Sequence, residues 1–168
     1  MTVRARRTYL EMREQSCLRP ARAPDTPLDI RLEDPCAPHL FRRLYAGVGT
    51  AYRWTDRAAW TDADIERHLA IPGLEIWVAR VAGALAGYFE LRPSDGGQQV
   101  EIAYLGLLPP FVGRGFGGPL LTAAVRRAWM LGPGRVWLHT CTFDHPAALS
   151  NYLARGFTVW REEEYALD

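Results

Sequence analysis

From Leu28 onward the chain alternates between stretches with apolar residues at every second position and stretches with them at every third or fourth. These are the periods of a half-buried strand and an amphipathic helix. Leu28–Leu32 predicts a short strand, and Asp34-Pro35 a helix start. His39 to Ala46, with Leu40, Phe41 and Leu44 on one side, predicts a first helix. Gly47, Gly49 and the aromatic run Tyr52-Arg53-Trp54 read as a loop. Thr61-Asp62 then caps a second helix that carries Ile65 and Leu69 and stops at Pro72-Gly73. Three extended segments follow, Leu74–Val81, Ala84–Arg92 and Gln99–Leu107, and the short turn-bearing links between them predict an antiparallel meander. Beyond Pro109-Pro110 and a glycine-rich loop, a helix runs to Met130, Val136–Thr142 makes a strand, Pro146–Arg155 a helix ended by Gly156, and Phe157–Tyr165 a last strand. The order β-α-α-β-β-β-α-β-α-β, without an internal repeat, predicts an α/β or α+β sheet domain over residues 28–168.

Residues 1–27 break this rhythm. They carry Arg4, Arg6, Arg7, Arg13, Arg19 and Arg22 and then Pro20, Pro24 and Pro27, and read as a basic arm whose Thr8–Met12 segment is able to pair as an added edge strand. With 168 residues, 48% of them hydrophobic, the chain predicts one compact domain and one active site. A net charge of +1 gives no reason to expect a nucleic-acid partner. All 20 basic residues are Arg, which points to coding bias, so only an individually placed Arg merits a role. Cys17, Cys36 and Cys141 are far apart and lack the paired spacing of a zinc or redox site, so no metal is expected. No apolar run nears the ~20 residues of a membrane span, and the expectation is a cytoplasmic protein with no membrane partner.

Chemistry concentrates in Phe111-Val112-Gly113-Arg114-Gly115-Phe116-Gly117-Gly118, between a strand and a helix. A helix start presents unpaired N–H groups and a positive dipole end, and glycines let a phosphate approach the main chain. Pro119 suits the first helical turn, and Leu120, Leu121, Ala124, Val125 and Ala128 supply an apolar face. The segment lacks the Gly-Lys-Ser/Thr ending of a P-loop. Gly113, Gly115 and Gly118 fit a GxGxxG string, but the strands before it form a meander and the next strand offers Trp137, His139 and Cys141 in place of an acidic residue.

The segment resembles motif A of the GCN5-related N-acetyltransferases, Gln/Arg-x-x-Gly-x-Gly/Ala, with Gly115 and Gly117 at the glycine positions, Arg114 at the basic interior position and Val112 where Gln or Arg is usual. The resemblance covers Leu28 to the C-terminus in element order. It implies a mixed, mostly antiparallel central sheet of six to seven strands with about four helices packed on it. It also implies acetyl-CoA as cosubstrate, held by Val112, Gly113, Arg114, Gly115, Phe116, Gly117 and Gly118, with Leu107 and Leu108 at the preceding strand end and His145 at the pantetheine. Gly106 marks the place of an expected bulge, and the Leu107 N–H is the expected contact to the acetyl carbonyl oxygen.

Acyl transfer to an amine needs a base, a polarised carbonyl and an acid for the departing thiolate. Glu101 matches in spacing the glutamate that some family members use as base. Strict alternation would put it beside Ala103 and Leu105 and opposite Ile102 and Tyr104, and Glu90 is its nearest competitor. Tyr152, in Tyr152-Leu153-Ala154-Arg155-Gly156-Phe157, resembles the family's late Tyr-x-x-x-Gly-Phe and is the implied acid. Asp144-His145-Pro146 opens the same helix. The family's acceptor pocket lies between the first two helices, their connecting loop and the last hairpin. Tyr52 and Trp54 are thereby acceptor-site candidates, with Tyr45, Arg53 and Trp60 around them and Trp160 as a wall. The acceptor is an amine on a small molecule or peptide, homodimerisation is open, and the rival reading is a non-catalytic acyl-CoA-binding module.

Overall fold

The computed structural model describes residues 2–167. Its strands are β1 (Val3–Met12), β2 (Asp29–Leu32), β3 (Glu75–Val81), β4 (Ala84–Ser94), β5 (Gln99–Leu107), β6 (Arg135–Cys141) and β7 (Thr158–Leu167); its helices are α1 (Pro38–Gly49), α2 (Asp62–Leu69), α3 (Gly117–Met130) and α4 (Ala148–Ala154). The strands form one open, mostly antiparallel sheet in the order β2-β3-β4-β5-β6-β1-β7, with β5 and β6 the parallel pair. The meander expected from the three central apolar segments is β3-β4-β5. Local chemistry sets the helix starts: α1 begins at Pro38 rather than at Asp34-Pro35, its missing N–H costing nothing in the first turn. Thr61 and Asp64 cap α2 reciprocally.

Two apolar clusters lie on opposite faces of the sheet. Phe89, Leu91, Val100, Ile102, Leu10 and Leu138 pack under α3, while Ile76, Val78 and Tyr88 pack under α1 and α2 with Phe41, Leu44, Val48 and Ile65. In β5, Glu90 of the neighbouring strand faces Tyr104 but Leu91 faces Ile102, so Ala103 is an extra residue. This bulge sits at Ala103, not at Gly106, and it reverses the alternation beyond it. Tyr104 therefore packs with the α1/α2 cluster while Ile102 and Leu105 lie on the α3 side. Glu101, paired with Arg92, shares the face of Tyr104 and not that of Leu105. Gly106 has a packing reason of its own, since a Cβ there would lie 2.3 Å from Val48 Cγ1.

The N-terminal segment differs most from expectation. Val3–Met12 is neither a free arm nor an edge strand; β1 lies inside the sheet between β6 and β7. Its even positions Thr8, Leu10 and Met12 are buried. Its arginines face the acidic run of β7, Arg7 lying 3.3 Å from Glu163 and Arg6 3.7 Å from Glu164. The basic charge is thus matched within the sheet. The segment after β1 docks on the helices: Arg19 N donates to Arg155 O, and Ala21 N to Thr122 Oγ1, at 2.9 and 3.0 Å. With β1 between them, β6 and β7 do not pair as the expected last hairpin.

Candidate active site

β5 and β6 pair only from Gln99–Glu101 with Arg135–Trp137 and then part. The gap beyond Glu101 is the floor of a cleft of about 860 Å³ that α3, α4 and the segment after α1 complete. Main-chain geometry aims donors into it. Leu108 N donates to Ala86 O at 2.7 Å, which makes that residue pair hydrogen-bonded and its neighbour pair, Gly87 with Leu107, non-bonded. By the same alternation Leu105 and Leu107 turn their N–H groups away from β4, toward the gap. Leu107 lines the cleft; Leu108 does not, its N–H being taken by Ala86 and its side chain packed against Gly47.

The 112–118 loop forms the next wall. Gly113 and Gly115 adopt φ of 76° and 83° with open space where a Cβ would stand, a conformation that costs other residues strain. α3 starts with no side-chain cap and no acidic residue in its first turn. Its first ladder bond runs from Leu120 N to Phe116 O, so the Gly117 and Gly118 N–H groups have no backbone partner among the described residues. Asn151 Nδ2 donates to Gly117 O at 3.2 Å and ties α4 to this helix start. Val112, Gly113, Gly115, Gly117 and Gly118 line the cleft. Arg114 and Phe116 do not: the exposed guanidinium lies 5.5 Å from the ring of the buried Phe116. The loop thus suits an anion through its main chain and a helix dipole, its own Arg114 lying outside the cleft lining.

The two candidate carboxylates are separated by their surroundings. Glu90 is fully buried, held by Arg57 through bonds of 2.6 and 2.9 Å and by His68 Nε2 at 3.2 Å. Burial alone would raise its pKa, but His68 and Arg57 outweigh it and hold the group below the usual value. Glu90 is fixed as an anion and does not line the cleft. Glu101 does, with a side chain 17% exposed and, among the described residues, no hydrogen-bond donor to hold its charge. Burial raises its pKa, against the pull of Arg92. Of these two carboxylates it is the one whose surroundings favour the protonated form.

On the other side Tyr152 lines the cleft from α4, packed against Phe157. Burial pushes its phenol well above the usual range, with Asp144 and Cys141 adding to the rise, so it stays protonated at neutral pH. Asp144 itself accepts from Thr140 Oγ1 and Cys141 N and shapes the turn into α4. His145 is exposed at the rim and meets Tyr52 edge to face at 6.2 Å, while Arg53 lies 4.6 Å over Phe143. Tyr52 and Trp54 both line the cleft, and Trp54 is seated on Gly49, where a Cβ would lie 2.4 Å from its ring. Tyr45 and Trp60 instead belong to the packing around Arg57, whose N–H donates to Tyr45 Oη and whose guanidinium lies 4.9 Å from the Trp60 ring. Trp160 lies away from the cleft, against Tyr9 and Arg135. Asn151 and Arg57 had no signal in the sequence beyond their type. Among the described residues no group of three or more His, Cys, Asp or Glu is placed to hold a metal, and no helix is long and apolar enough to cross a membrane.

Residues 41–157 match the model of the acetyltransferase (GNAT) family. No curated protein matches the chain in sequence. Among solved structures it is similar to a GCN5-related N-acetyltransferase from Sphaerobacter thermophilus, with 18% identity and a TM-score of 0.64 over 96% of this chain and 51% of that one. One from Kribbella flavida shows 19% identity and a TM-score of 0.63 over 94% of this chain and 56% of that one. An aminoglycoside acetyltransferase from an uncultured soil metagenomic sample, solved with trehalose, shows 16% identity and a TM-score of 0.60 over 76% of this chain and 86% of that one. The chain thus spans little more than half of the first two. At such identities the likeness carries the fold alone.

Proposed function

This chain belongs to the acetyltransferase (GNAT) family, and from that premise we propose that it moves the acetyl group of acetyl-CoA directly to a primary amine, both substrates being bound together. The observation that carries the reading is the gap between β5 and β6, which has main-chain donors and a phenol on one side and a titratable carboxylate on the other. The residues present fit the cosubstrate: Gly113, Gly115, Gly117 and Gly118 would hold its pyrophosphate through N–H groups, and Leu105 and Leu107 its pantetheine and thioester end. When bound it supplies an activated acetyl group with a thiolate as leaving group.

Glu101 takes a proton from the acceptor ammonium, making the nitrogen nucleophilic. The Leu107 N–H donates to the acetyl carbonyl oxygen, where negative charge grows as the C–N bond forms. Tyr152, protonated in the resting enzyme, gives its proton to the sulfur as the C–S bond breaks and is restored by the second proton the nitrogen loses. Trp54, Tyr52 and Tyr104 offer the acceptor ring faces suited to an apolar amine or a cation.

The test is release of free thiol from acetyl-CoA across a panel of small amines, amino acids, aminoglycosides and peptides, beside calorimetric titration with acetyl-CoA. Tight binding and thiol release with one amine class are expected. Absence of acetyl-CoA binding would overturn the reading, and binding without release on any amine would favour a non-catalytic acyl-CoA sensor, for which Val112 and His145, outside the family pattern, are the grounds.

A further inference from the structure

Glu101 and His139 face each other where β5 and β6 part, with His139 Nε2 3.9 Å from Glu101 Oε1. Both line the cleft, yet the imidazole side chain is 38% exposed and the carboxylate 17%. His139 packs against Tyr9, ring centroids 5.6 Å apart, and Tyr9 in turn against Trp160, which is exposed to solvent. We infer that His139 clears the acceptor's proton from Glu101: the carboxylate takes it from the ammonium nitrogen and the imidazole passes it from the carboxyl to water. This inference rests on the acetyl-transfer reading.

The proton count requires such an exit. An ammonium acceptor loses two protons on becoming an amide. One restores the Tyr152 phenol after that phenol has protonated the sulfur, and the other, taken by Glu101, must leave the protein. A carboxyl that kept it would lack a base for the next turnover. Glu101 is the more enclosed of the two, and His139 the more open to solvent. Their separation exceeds a hydrogen bond, so transfer takes a small side-chain rotation or one intervening water.

The surroundings bring the two groups closer in basicity. Facing them are Arg92 and Glu90 from β4, Asp56 and Arg57 from the segment after α1, Arg7 from β1, Asp144 after β6 and Glu163 on β7. Burial, then Arg7, lowers the imidazole, opposed by Asp144, Asp56 and Glu163; burial raises the carboxyl, aided by Glu90 and opposed by Arg92 and Arg57. A proton passes more readily as two groups come closer in basicity. His139 acts through Glu101 and is a positioning and relay residue, not one that touches the reacting atoms.

The first test needs no acceptor. In the full chain with labelled histidine, the His139 resonance, identified by its loss in His139→Gln, is titrated by NMR in wild type and Glu101→Gln. Loss of the facing carboxylate is expected to lower the His139 midpoint by about half a pH unit or more. Glu101→Asp, which keeps the charge but draws it back, should give a value between the two. Identical midpoints in wild type and both variants overturn the inference. The second test uses whichever amine the thiol-release panel selects. His139→Gln should lower kcat about tenfold or more, leave KM for acetyl-CoA unchanged, and recover with added imidazole. Unchanged kcat, or a loss that imidazole does not restore, overturns the relay. A panel in which no amine turns over would instead defeat the acetyl-transfer reading, leaving the NMR result to judge the pair.

Discussion

On the side of the cleft made by the 112–118 loop, the start of α3 and the edge of β5, the groups aimed inward are main-chain N–H groups; on the side made by the 52–57 segment and β6 they are side chains. The first side needs only positive φ at two glycines and a helix start left uncapped. The second depends on a buried ionic cluster, Arg57 with Glu90 and His68, that anchors the loop carrying Trp54. A main-chain site tolerates varied side chains, as Val112 shows, whereas a side-chain site is rebuilt whenever its residues change. The donor side is therefore the part shared across a family and the acceptor side the part free to diverge. Glu90 and Glu101 repeat the contrast on adjacent strands. They share residue type and sheet face, but one is fixed as an anion by its partners and the other is left to titrate.

Breaking the acceptor side at its anchor should have the largest effect. Arg57→Met leaves Glu90 buried without its main partner and should cost about 3–5 kcal/mol in urea unfolding at pH 7, while acetyl-CoA binding persists in whatever fraction stays folded. In the wild type the same carboxylate, with its folded pKa depressed, contributes stability above the unfolded value near ~4.3. That contribution is lost as pH falls through the lower folded value, so the gap between wild type and Arg57→Met should shrink in acid. Next comes Glu101→Gln, expected to lower kcat about 100-fold, equivalent to about 2.7 kcal/mol, with an unchanged calorimetric Kd for acetyl-CoA. Tyr152→Phe should lower kcat about tenfold or more, again sparing Kd; full turnover would remove it as the acid. On the donor side, Gly115→Ala forces a side chain into positive φ at a cost of about 1–2 kcal/mol, to be read as weaker acetyl-CoA binding with kcat at saturation intact. The smallest effect sharpens the contrast. Val112→Gln restores the family's side chain and should tighten acetyl-CoA binding by about threefold or less, because the main chain already provides the cradle.

The same division decided what could be read from the sequence. The meander, both long helices and the glycine loop were legible because period and turn chemistry are local, and Gln99–Leu107 coincides with β5. The bulge was not, since nothing in Ala103 announces an extra residue, and strict alternation placed Glu101 on the wrong face. Gly106 drew attention as a bulge marker when its small size serves Val48. β1 carried a strand-like alternation at Thr8, Leu10 and Met12, but the acidic strand that explains its arginines lies at the opposite end of the sequence. Arg57 was one of 20 arginines, and its ion pair with Glu90 spans 33 positions that no local pattern links.

Placing β1 between β6 and β7 also orders events in time. β1 leaves the ribosome long before β6 and β7, the two strands it pairs with, Val3 lying beside Leu167. Such distant pairing raises contact order and slows folding, and β1 must wait for its partners until β6 and β7 have been synthesised. A deletion that removes β1 would act on the far end of the chain, leaving β7 without the strand it pairs with.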